Sequence, residues 1–382
     1  MSKQICFVLD WYPTKTNNGC VFAKHLIYAI ADKGFECVVI APRIKNANTE
    51  NVPYQRVEET DNGSVIRILT PTYLHLSSRK QTIKMSMNNH YKAVMKTIKK
   101  ENLKPDVIYG HFIYQCGLTA ARVGEKLNIP SYCACGENST RFEKGSQPYT
   151  TGMTYANWKE ILDNLTGIVS VSSNNKNLLI DNNYVEPSKR IGVFPNGVDE
   201  NKFNKKNKEE CREKLSFPKD AFIIVFTGAF SERKGISELN TALKNCEDVY
   251  SVFLGKGTLE PDCDNILFKG SVENDMVSTY LNAADVFVLP TKGEGCCNAI
   301  VEALACGLPV ISSDLPFNDD VLDESNSIRV DVNSVKDIEC AIKSLKDDIN
   351  LRERLENGAK ASAEKLGINT RAENILKFME ML

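Results

Sequence analysis

The feature that most constrains this chain is a repeated alternation of short, uninterrupted apolar runs with longer segments of helical periodicity. The runs include QICFVLD (residues 4–10), CVVIAP (37–42) and DVFVLP (285–290). A strand that is apolar on both faces must be covered on both faces. Helices between such strands supply that cover, and parallel strands need a crossover of this length. The pattern therefore predicts α/β architecture with mainly parallel sheets.

The alternation falls into two series separated by a polar stretch. The first series ends near residue 197, and the charged segment 198–220 precedes the second. With 382 residues, the chain is too long for one ordinary core. We predict two doubly wound, Rossmann-like domains, over residues 1–197 and 198–362. We further predict that a C-terminal helix over 363–382 packs back toward the first domain.

Composition excludes several classes of protein. Charged residues make up 25% of the chain and the formal net charge is −2, so we expect no nucleic acid partner. No apolar stretch reaches the roughly 18 residues that a membrane span needs. The start, MSKQICFVLD, lacks the apolar core of a secretory signal. We therefore expect a cytoplasmic protein.

The 13 cysteines are spread along the chain without a C-x-x-C pair. The nearest approaches to a metal-binding spacing are Cys133-x-Cys135 and the adjacent Cys296 and Cys297, and neither has a histidine close in sequence. We expect reduced thiols that pack as small apolar side chains, and no bound metal or other cofactor.

The most informative segment is GEGCCNAIVEALACGLPVISSD (293–314), which carries two acids separated by seven residues, Glu294 and Glu302. It follows the strand DVFVLP, and its helix is predicted to begin with Asn298 as N-cap and to stop at Gly307. The loop before the helix then lies at the carboxyl edge of a parallel sheet, where doubly wound folds bind ligands.

The chemistry of this segment suits a nucleotide sugar. A helix N-terminus favours an anion such as a diphosphate, and Gly293 and Gly295 let the backbone approach a ligand closely. Carboxylates accept charge-assisted hydrogen bonds from sugar hydroxyls. The alternative is that Glu294 is a solvated loop acid and Glu302 a paired structural one. The scarcity of other polar side chains on this helix favours ligand binding.

This segment resembles the donor site of the family four glycosyltransferases, which carries two glutamates at the same spacing. Three further stretches resemble motifs of that family, in its order: YPTKTNNGCVFAKHL (12–26), FPNGVD (194–199) and GAFSERKGISEL (228–239). The resemblance implies a GT-B fold, in which two Rossmann-like domains face an interdomain cleft. It also implies metal-independent sugar transfer from a nucleotide sugar, with retention of anomeric configuration.

The resemblance also implies roles for individual residues. Arg233 and Lys234 would stabilise the leaving diphosphate, although many members carry a further Arg where this chain has Ala229. Glu294 would contact the hydroxyls of the transferred sugar, and Glu302 would hold the ribose. The base would rest on the loop KGSV (269–272). The remaining predicted donor contacts are Gly19, Val272, Gly295, Cys297, Asn298 and Ala299.

Candidates on the acceptor side lie in the first domain. His111 follows the strand DVIYGH (106–111), where it could hydrogen-bond the sugar or the acceptor, and we include it with Glu294, Arg233 and Lys234 among the predicted catalytic residues. The alternative is a core histidine. Glu137 and Asn138 follow another strand and are weaker acceptor-side candidates. The resemblance favours front-face substitution, in which the leaving phosphate helps to deprotonate the acceptor.

Residues 79–104 contain eight Lys or Arg, one acid and apolar residues at roughly helical spacing. A basic amphipathic helix can lie on an anionic membrane surface, at the inner face of the membrane for a cytoplasmic protein. The alternative is a solvated helix packed on its own domain.

The predicted function is that of a retaining hexosyl- or N-acetylhexosaminyltransferase. It would move a sugar from a UDP-sugar to a glycan or lipid-linked saccharide in the synthesis of a surface polysaccharide, with GDP-mannose open as a donor. The alternatives are a small-molecule glycosyltransferase of the same fold and a non-catalytic nucleotide-sugar sensor. The presence of Glu294, Glu302 and Lys234 argues against the sensor.

Overall fold

The computed structural model describes residues 2–14, 19–45, 52–75, 80–139, 142 and 155–382, without the side chains of residues 80–84 and 155–157. The chain divides into two units. Unit 1 comprises Met1–Phe194 and Arg371–Leu382, and unit 2 comprises Pro195–Thr370.

Unit 1 is an α/β unit with both parallel and antiparallel strands. Its strands are β1 (Gln4–Val8), β2 (Glu36–Ile40), β3 (Arg43–Ile44), β4 (Gln55–Glu59), β5 (Val65–Leu69), β6 (Thr72–Tyr73), β7 (Val107–Gly110), β8 (Ser131–Cys135), β9 (Gly167–Ser170) and β10 (Ile191–Val193). Its first five helices are α1 (Val21–Ala31), α2 (Lys80–Lys100), α3 (Leu118–Leu127), α4 (Tyr155–Asp163) and α5 (Ser173–Asp181).

Eight of these strands form one sheet in the order β10-β9-β8-β7-β1-β2-β5-β4. All its pairs are parallel except β4 with β5, which form an antiparallel edge. Strands β3, β4, β5 and β6 were not predicted from the sequence pattern. In β4 half-buried residues alternate with exposed ones, so the strand lacks the continuous apolar run that marks the central strands.

Helix α2 packs against the core of its own unit. Met87, Val94 and Ile98 are buried, and Val94 and Ile98 belong to the apolar cluster that includes residues of β1 and β2. The apolar stripe that suggested membrane contact for 79–104 therefore covers the core, as the packed-helix alternative expects. Contact of the basic face of this helix with a membrane stays a prediction. Residue 79 and the Ile83 side chain lie outside the described residues. None of the helices in the described segments combines the length and the apolar character that a membrane span requires.

Unit 2 contains a six-stranded sheet. Its strands are β11 (Phe222–Thr227), β12 (Val249–Leu254), β13 (Ile266–Gly270), β14 (Val286–Leu289), β15 (Val310–Ser313) and β16 (Ser327–Val330). Its helices are α6 (Lys208–Leu215), α7 (Ile236–Lys244), α8 (Asn274–Ala283), α9 (Asn298–Ala305), α10 (Val335–Asp347) and α11 (Ile349–Ala363). The strand order is β13-β12-β11-β14-β15-β16, and every pair is parallel.

The division between the units differs slightly from the predicted boundaries. It falls after Phe194, so that Asn196 and the rest of the PNGVD segment belong to unit 2. The second division falls at Arg371, inside the last helix, α12 (Ile368–Phe378), where the sequence analysis placed it after residue 362. All 13 cysteines lie in described segments as free thiols, and all but Cys20 and Cys340 are buried.

A buried ion pair fastens three elements of unit 2 together. Asp285, at the start of β14, accepts a 2.7 Å hydrogen bond from Arg212 Nη2 of α6 and a 2.8 Å bond from Ile223 N of β11. Arg212 is 4% exposed and also donates to Ala283 O. A charge this deeply buried is tolerated only while its counter-charge remains.

We predict that Asp285→Ala lowers the free energy of unfolding by about 3–5 kcal/mol, because it leaves Arg212 buried without a counter-charge. Urea denaturation followed by circular dichroism measures the loss. Lys244→Ala, which removes a pair between Lys244 and the exposed Asp262, is the control and should change stability little. An equal loss in the two variants would contradict the prediction.

Candidate active site

The strand order of unit 2 reverses direction between β11 and β14. From β11 the chain proceeds through β12 and β13 on one side, and β14, β15 and β16 follow on the other. In doubly wound sheets a crevice opens at such a switch point, outside the carboxyl ends of the two strands. The two loops that leave these ends carry GAFSERKG and TKGEGCC, which are the segments that the sequence analysis selected.

The loop after β14 leads directly into α9. Cys297 is the N-cap residue and has extended backbone angles, while its side chain does not cap the helix. Asn298 is the first helical residue, so its assignment as N-cap was wrong. Gly307 follows the helix end with φ +70, a conformation that glycine adopts at low cost. The N-terminus of α9 therefore lies at the carboxyl edge of the sheet, as the predicted anion site requires.

The two loops meet at the carboxylate of Glu294. Its Oε1 atom lies 2.5 Å from Arg233 Nη1, 2.7 Å from Lys234 Nζ and 3.0 Å from the hydroxyl of Thr291. The Glu294 side chain is 15% exposed, and Thr291 is fully buried. Three of the four residues predicted to be catalytic are thus in direct contact, although they come from positions about 60 residues apart.

One backbone and one side-chain hydrogen bond hold the short 3₁₀ turn Glu232–Lys234 against the loop after β14. Arg233 O accepts a 2.7 Å bond from Lys292 N, and Arg233 Nη1 donates to Gly293 O at 2.8 Å. Gly235 ends the turn with φ +67, and a Cβ atom there would lie 2.0 Å from Pro290 O. Only glycine allows this approach. Arg233 and Lys234 are therefore positioned by backbone geometry as well as by charge.

The two cations that contact Glu294 differ in how deeply they are buried. Lys234 is 9% exposed, whereas 45% of the Arg233 side chain is exposed. Burial by itself lowers the pKa of Lys234, but the Cys297 sulfur and the Glu294 carboxylate outweigh it and the pKa is raised. Burial raises the pKa of the Cys297 thiol above its ordinary value. The thiol is therefore neutral near pH 7 and acts on Lys234 only at the higher pH where it ionises, so near pH 7 the Glu294 carboxylate is the charge that keeps Lys234 protonated.

Asn196 belongs to the site, although it was not among the residues predicted from the sequence. Its Nδ2 donates to Cys296 O at 3.0 Å and to Asn298 Oδ1 at 2.7 Å, and its backbone N–H donates to Cys296 Sγ. It therefore fixes the residues that lead into α9. The FPNGVD motif contains Asn196, but the resemblance assigned the motif no individual contact residue.

Glu302 lies one turn into α9 and is partly buried. In the described part of the chain its carboxyl group forms no hydrogen bond and no ion pair within 4 Å. Burial raises its pKa from 4.5 to about 7, and the positive charge of Lys202 opposes this shift. A group held near half protonation in this way is suited to a ligand that donates hydrogen bonds to it.

The other predicted donor residues are placed in separate parts of the fold. Val272 is partly buried and lies two residues after β13. The end of β13 is held next to the end of β12, because Gly270 O accepts a 2.8 Å hydrogen bond from Gly255 N. Gly295 is buried in the loop before α9, and Ala299 is partly buried in its first turn. Gly19 belongs to unit 1, in the turn that precedes α1.

In unit 1, His111 lies directly after β7. It is 6% exposed and its ring lies against those of Phe22 and Phe112, with centroids 5.3 and 4.9 Å away. Burial, and secondarily the charge of Arg371, lowers its pKa to about 3. The imidazole is therefore neutral near pH 7, so it can hydrogen-bond a hydroxyl but cannot supply a positive charge.

Glu137 has an internal structural contact. Its Oε1 accepts a 2.6 Å hydrogen bond from Ile113 N, at the start of the π-helical turn Ile113–Gly117, and the residue is 6% exposed. This carboxylate oxygen caps the turn that follows His111. The neighbouring Asn138 is partly buried. The acceptor-side roles of Glu137 and Asn138 stay predictions.

Two Rossmann-like units, with a basic turn and a glutamate loop at the switch point of the second, define the GT-B class of glycosyltransferases. A family model described as Glycosyltransferase Family 4 matches residues 21–202, and one described as Glycosyl transferases group 1 matches residues 207–362. The chain belongs to the group 1 glycosyltransferases of GT-B fold. The resemblance inferred from the motifs is confirmed.

Individual relatives agree with this assignment. The chain is 31% identical over 233 residues to a teichuronic acid biosynthesis glycosyltransferase, TuaC, of Bacillus subtilis. The matched region covers 58% of this chain and 57% of that protein. It is 29% identical over 223 residues to the Escherichia coli UDP-Gal:alpha-D-GlcNAc-diphosphoundecaprenol alpha-1,3-galactosyltransferase, covering 50% of this chain and 56% of that protein. Each similarity thus spans somewhat more than half of the relative.

The fold is also similar to solved structures. Sucrose-phosphate synthase from Thermosynechococcus elongatus superimposes with a TM-score of 0.79 at 17% identity, over 99% of this chain and 98% of that chain. At this identity the similarity shows the fold alone. The predicted GT-B fold class is confirmed.

We predict that the stability of the protein depends on pH through Glu302. Between about pH 4.5 and 7 the folded protein holds a proton on Glu302 that the unfolded chain has released, because the folded pKa is about 7. The stabilisation of the folded protein by this extra proton is complete below about pH 4.5 and is lost as the pH rises through about 7. Glu302→Gln imitates the protonated group at every pH.

The free energy of unfolding of Glu302→Gln, relative to the wild type, should therefore rise by about 1–3 kcal/mol between about pH 5 and pH 8. Urea denaturation at the two pH values gives this difference. Glu213→Gln changes an exposed carboxylate of the same unit and is the control. A constant difference between Glu302→Gln and the wild type would show that Glu302 ionises normally.

Proposed function

We propose that this chain transfers a sugar from a UDP-sugar to a saccharide acceptor, with retention of anomeric configuration, during synthesis of a surface polysaccharide. The observation that carries the proposal is the contact of Glu294 with Lys234 and Arg233 at the N-terminal end of α9. A sugar diphosphate needs cations for its phosphates and acceptors for its hydroxyls within a few ångströms. This contact provides both.

Arg233 and Lys234 would bind the diphosphate. Both cations pair with one carboxylate oxygen, whose single negative charge leaves a net positive charge at this contact. A diphosphate carries more charge than Glu294 and can also accept from the α9 N-terminus, so it would compete for both. The half-exposed Arg233 can turn toward the phosphates, whereas the buried Lys234 is fixed. In the transition state the same cations would stabilise the charge on the leaving group, and transfer would need no metal.

Glu294 would then bind the transferred sugar. Once the diphosphate engages the two cations, the carboxylate oxygen is available to hydroxyl groups of the sugar. Thr291 remains within 3.0 Å and would hold the carboxylate in place. Asn196 and the glycines on either side of Glu294 would maintain the loop around it. Glu302, which has a raised pKa, would accept hydrogen bonds from the ribose.

The resemblance to the family supports retention and front-face substitution. In that reaction the leaving phosphate oxygen removes the acceptor proton, and the chain needs only to orient the acceptor hydroxyl. The neutral imidazole of His111 is suited to orientation rather than to acid catalysis. The location of the active site between the two domains stays a prediction.

The names of the relatives support a polysaccharide acceptor. TuaC is named for teichuronic acid biosynthesis, and the E. coli relative is named for transfer of galactose from UDP-Gal to a diphosphoundecaprenol-linked GlcNAc. We propose by analogy that the acceptor here is a glycan or lipid-linked saccharide, that the nucleotide is UDP, and that a hexosyl or N-acetylhexosaminyl group is transferred.

We predict that Glu294→Gln and Lys234→Ala each lower kcat roughly 100- to 1,000-fold, because each removes a charged contact with the reacting groups. Release of UDP in the presence of UDP-sugars and a lipid-linked saccharide extract measures the rate. Thermal unfolding of each variant shows whether it is folded.

Lys244→Ala is the matched control, since it removes a lysine of the same unit that pairs with Asp262 away from the switch point. It should retain the wild-type rate. Wild-type turnover by folded Glu294→Gln and Lys234→Ala would refute the assignment of the donor site.

We further predict that UDP or a UDP-sugar raises the melting temperature of the wild type in the presence and absence of EDTA, because a ligand of the native state must stabilise it. Thermal shift against UDP, GDP, ADP and their sugars tests this. If GDP alone stabilised the protein, the donor nucleotide would be GDP instead of UDP. Stabilisation that required Mg²⁺ would contradict metal-independent binding. No stabilisation by any nucleotide would contradict the proposed donor site.

A further inference from the structure

Unit 1 has a switch point of its own, between β1 and β7. β1 pairs with β2 on one side and with β7 on the other. Asp10 follows the carboxyl end of β1, and Cys116 belongs to the π-helical turn that follows β7. His90 reaches this position from α2. Three residues that are distant in sequence thus meet where the strand order reverses.

The metal-binding atoms of Asp10, His90 and Cys116 all lie within 4.8 Å of one another. Cys116 Sγ donates to Asp10 Oδ1 at 3.1 Å. Cys116 is fully buried, His90 is 1% exposed, and Asp10 is partly exposed. A carboxylate, an imidazole and a thiol at this spacing form a typical ligand set for a transition metal.

One ring nitrogen of His90 has no hydrogen-bond partner among the described residues. His90 Nδ1 forms a 2.8 Å hydrogen bond with Thr119 Oγ1, whereas the buried Nε2 has no hydrogen bond to any described residue. A buried polar atom without a partner is costly and calls for an explanation. When Nδ1 donates to Thr119, Nε2 carries the lone pair that a metal ion binds, and metal-ligating histidines are commonly oriented by such a second hydrogen bond.

Contacts through Tyr73 connect the turn that carries Cys116 to His90. Gln115, just before it, has φ +60, which is unusual for a residue other than glycine. The Gln115 side chain donates to Tyr73 OH at 2.9 Å, and the Tyr73 ring lies edge-on to His90, with centroids 5.2 Å apart. These contacts link the turn to the imidazole, so that Cys116 and His90 are held by a shared neighbour.

We propose that Asp10, His90 and Cys116 bind one zinc ion. Ligand atoms around a tetrahedral zinc lie roughly 3.3–3.8 Å apart, so the three ligand atoms, all within 4.8 Å of one another, need only small shifts to surround the ion. On binding, the Cys116 proton is released to solvent, and both Cys116 and Asp10 exchange their mutual hydrogen bond for the metal. His90 Nε2 gains its missing partner. A fourth position remains for water beside the partly exposed Asp10.

The ligand types select zinc over the hard divalent ions. Mg²⁺ and Ca²⁺ prefer oxygen ligands alone, whereas a thiolate and an imidazole favour Zn²⁺ and its cobalt substitute. All three ligands belong to unit 1, and the proposed cation and sugar contacts at Arg233, Lys234 and Glu294 belong to unit 2. The zinc would therefore join the end of β1, helix α2 and the turn after β7 in unit 1, and sugar transfer would still rely on protein cations.

Metal binding is tested on the full chain, purified without chelator and then stripped with EDTA. Co²⁺ added to the stripped wild type should give the near-ultraviolet charge-transfer band of a cobalt–thiolate bond, and Zn²⁺ should remove the band by displacement. Zn²⁺, but not Mg²⁺, should raise the melting temperature of the stripped protein.

Two variants identify the ligands. Cys116→Ser and His90→Gln should bind Zn²⁺ at least tenfold more weakly, and Cys116→Ser should lose the cobalt band. Cys133→Ser removes another fully buried thiol of the same unit and should keep both signals. A wild type without the cobalt band and without stabilisation by Zn²⁺ would overturn the proposal, whether or not the variants fold. A band that persists in folded Cys116→Ser would also overturn it.

Discussion

A single carboxylate oxygen, Oε1 of Glu294, joins the two loops on which the candidate active site depends. It contacts a buried ammonium group, a half-exposed guanidinium group and a buried hydroxyl. The two loops leave β11 and β14, which are neighbours only because the strand order of unit 2 reverses there. Buried Lys234 requires a counter-charge, and the Glu294 carboxylate supplies it, so the contact keeps the lysine ionised. A ligand that brings its own negative charge and its own hydroxyl groups can replace both contacts.

Burial gives the ionisable groups of the two units different properties. Lys234 stays charged because a carboxylate is within 2.7 Å. Burial raises the pKa of Glu302 to about 7, because the opposing charge of Lys202 does not outweigh it. Burial lowers the pKa of His111 to about 3, and the positive charge of Arg371 adds to the shift. The proximity of an opposite charge therefore decides which buried group is ionised at neutral pH.

Both units bring chemically active residues to a switch point, but they do so differently. In unit 2 the residues come from two loops that each contain a contiguous motif, ERKG and GEGCCN. In unit 1 the cluster draws single residues from positions 10, 90 and 116, none of which lies in a recognisable metal-binding spacing. Motif analysis can detect the first arrangement, because neighbouring residues carry the signal together. It cannot detect the second, because each residue alone is an ordinary Asp, His or Cys.

The sequence by itself determined the α/β class, the two-domain organisation, the strand that ends near Pro290 and the contiguous motifs around Lys234 and Glu294. Those features depend on local patterns: buried parallel strands are continuously apolar, and helix ends have preferred residues. Only the tertiary structure decided that α2 covers the core, that Asn196 fixes the residues leading into α9, and that Glu294 contacts both cations. It also placed Asp10, His90 and Cys116 together. The physical reason is that strand order and burial arise from packing between distant segments, and the sequence pattern of one segment does not specify its neighbour.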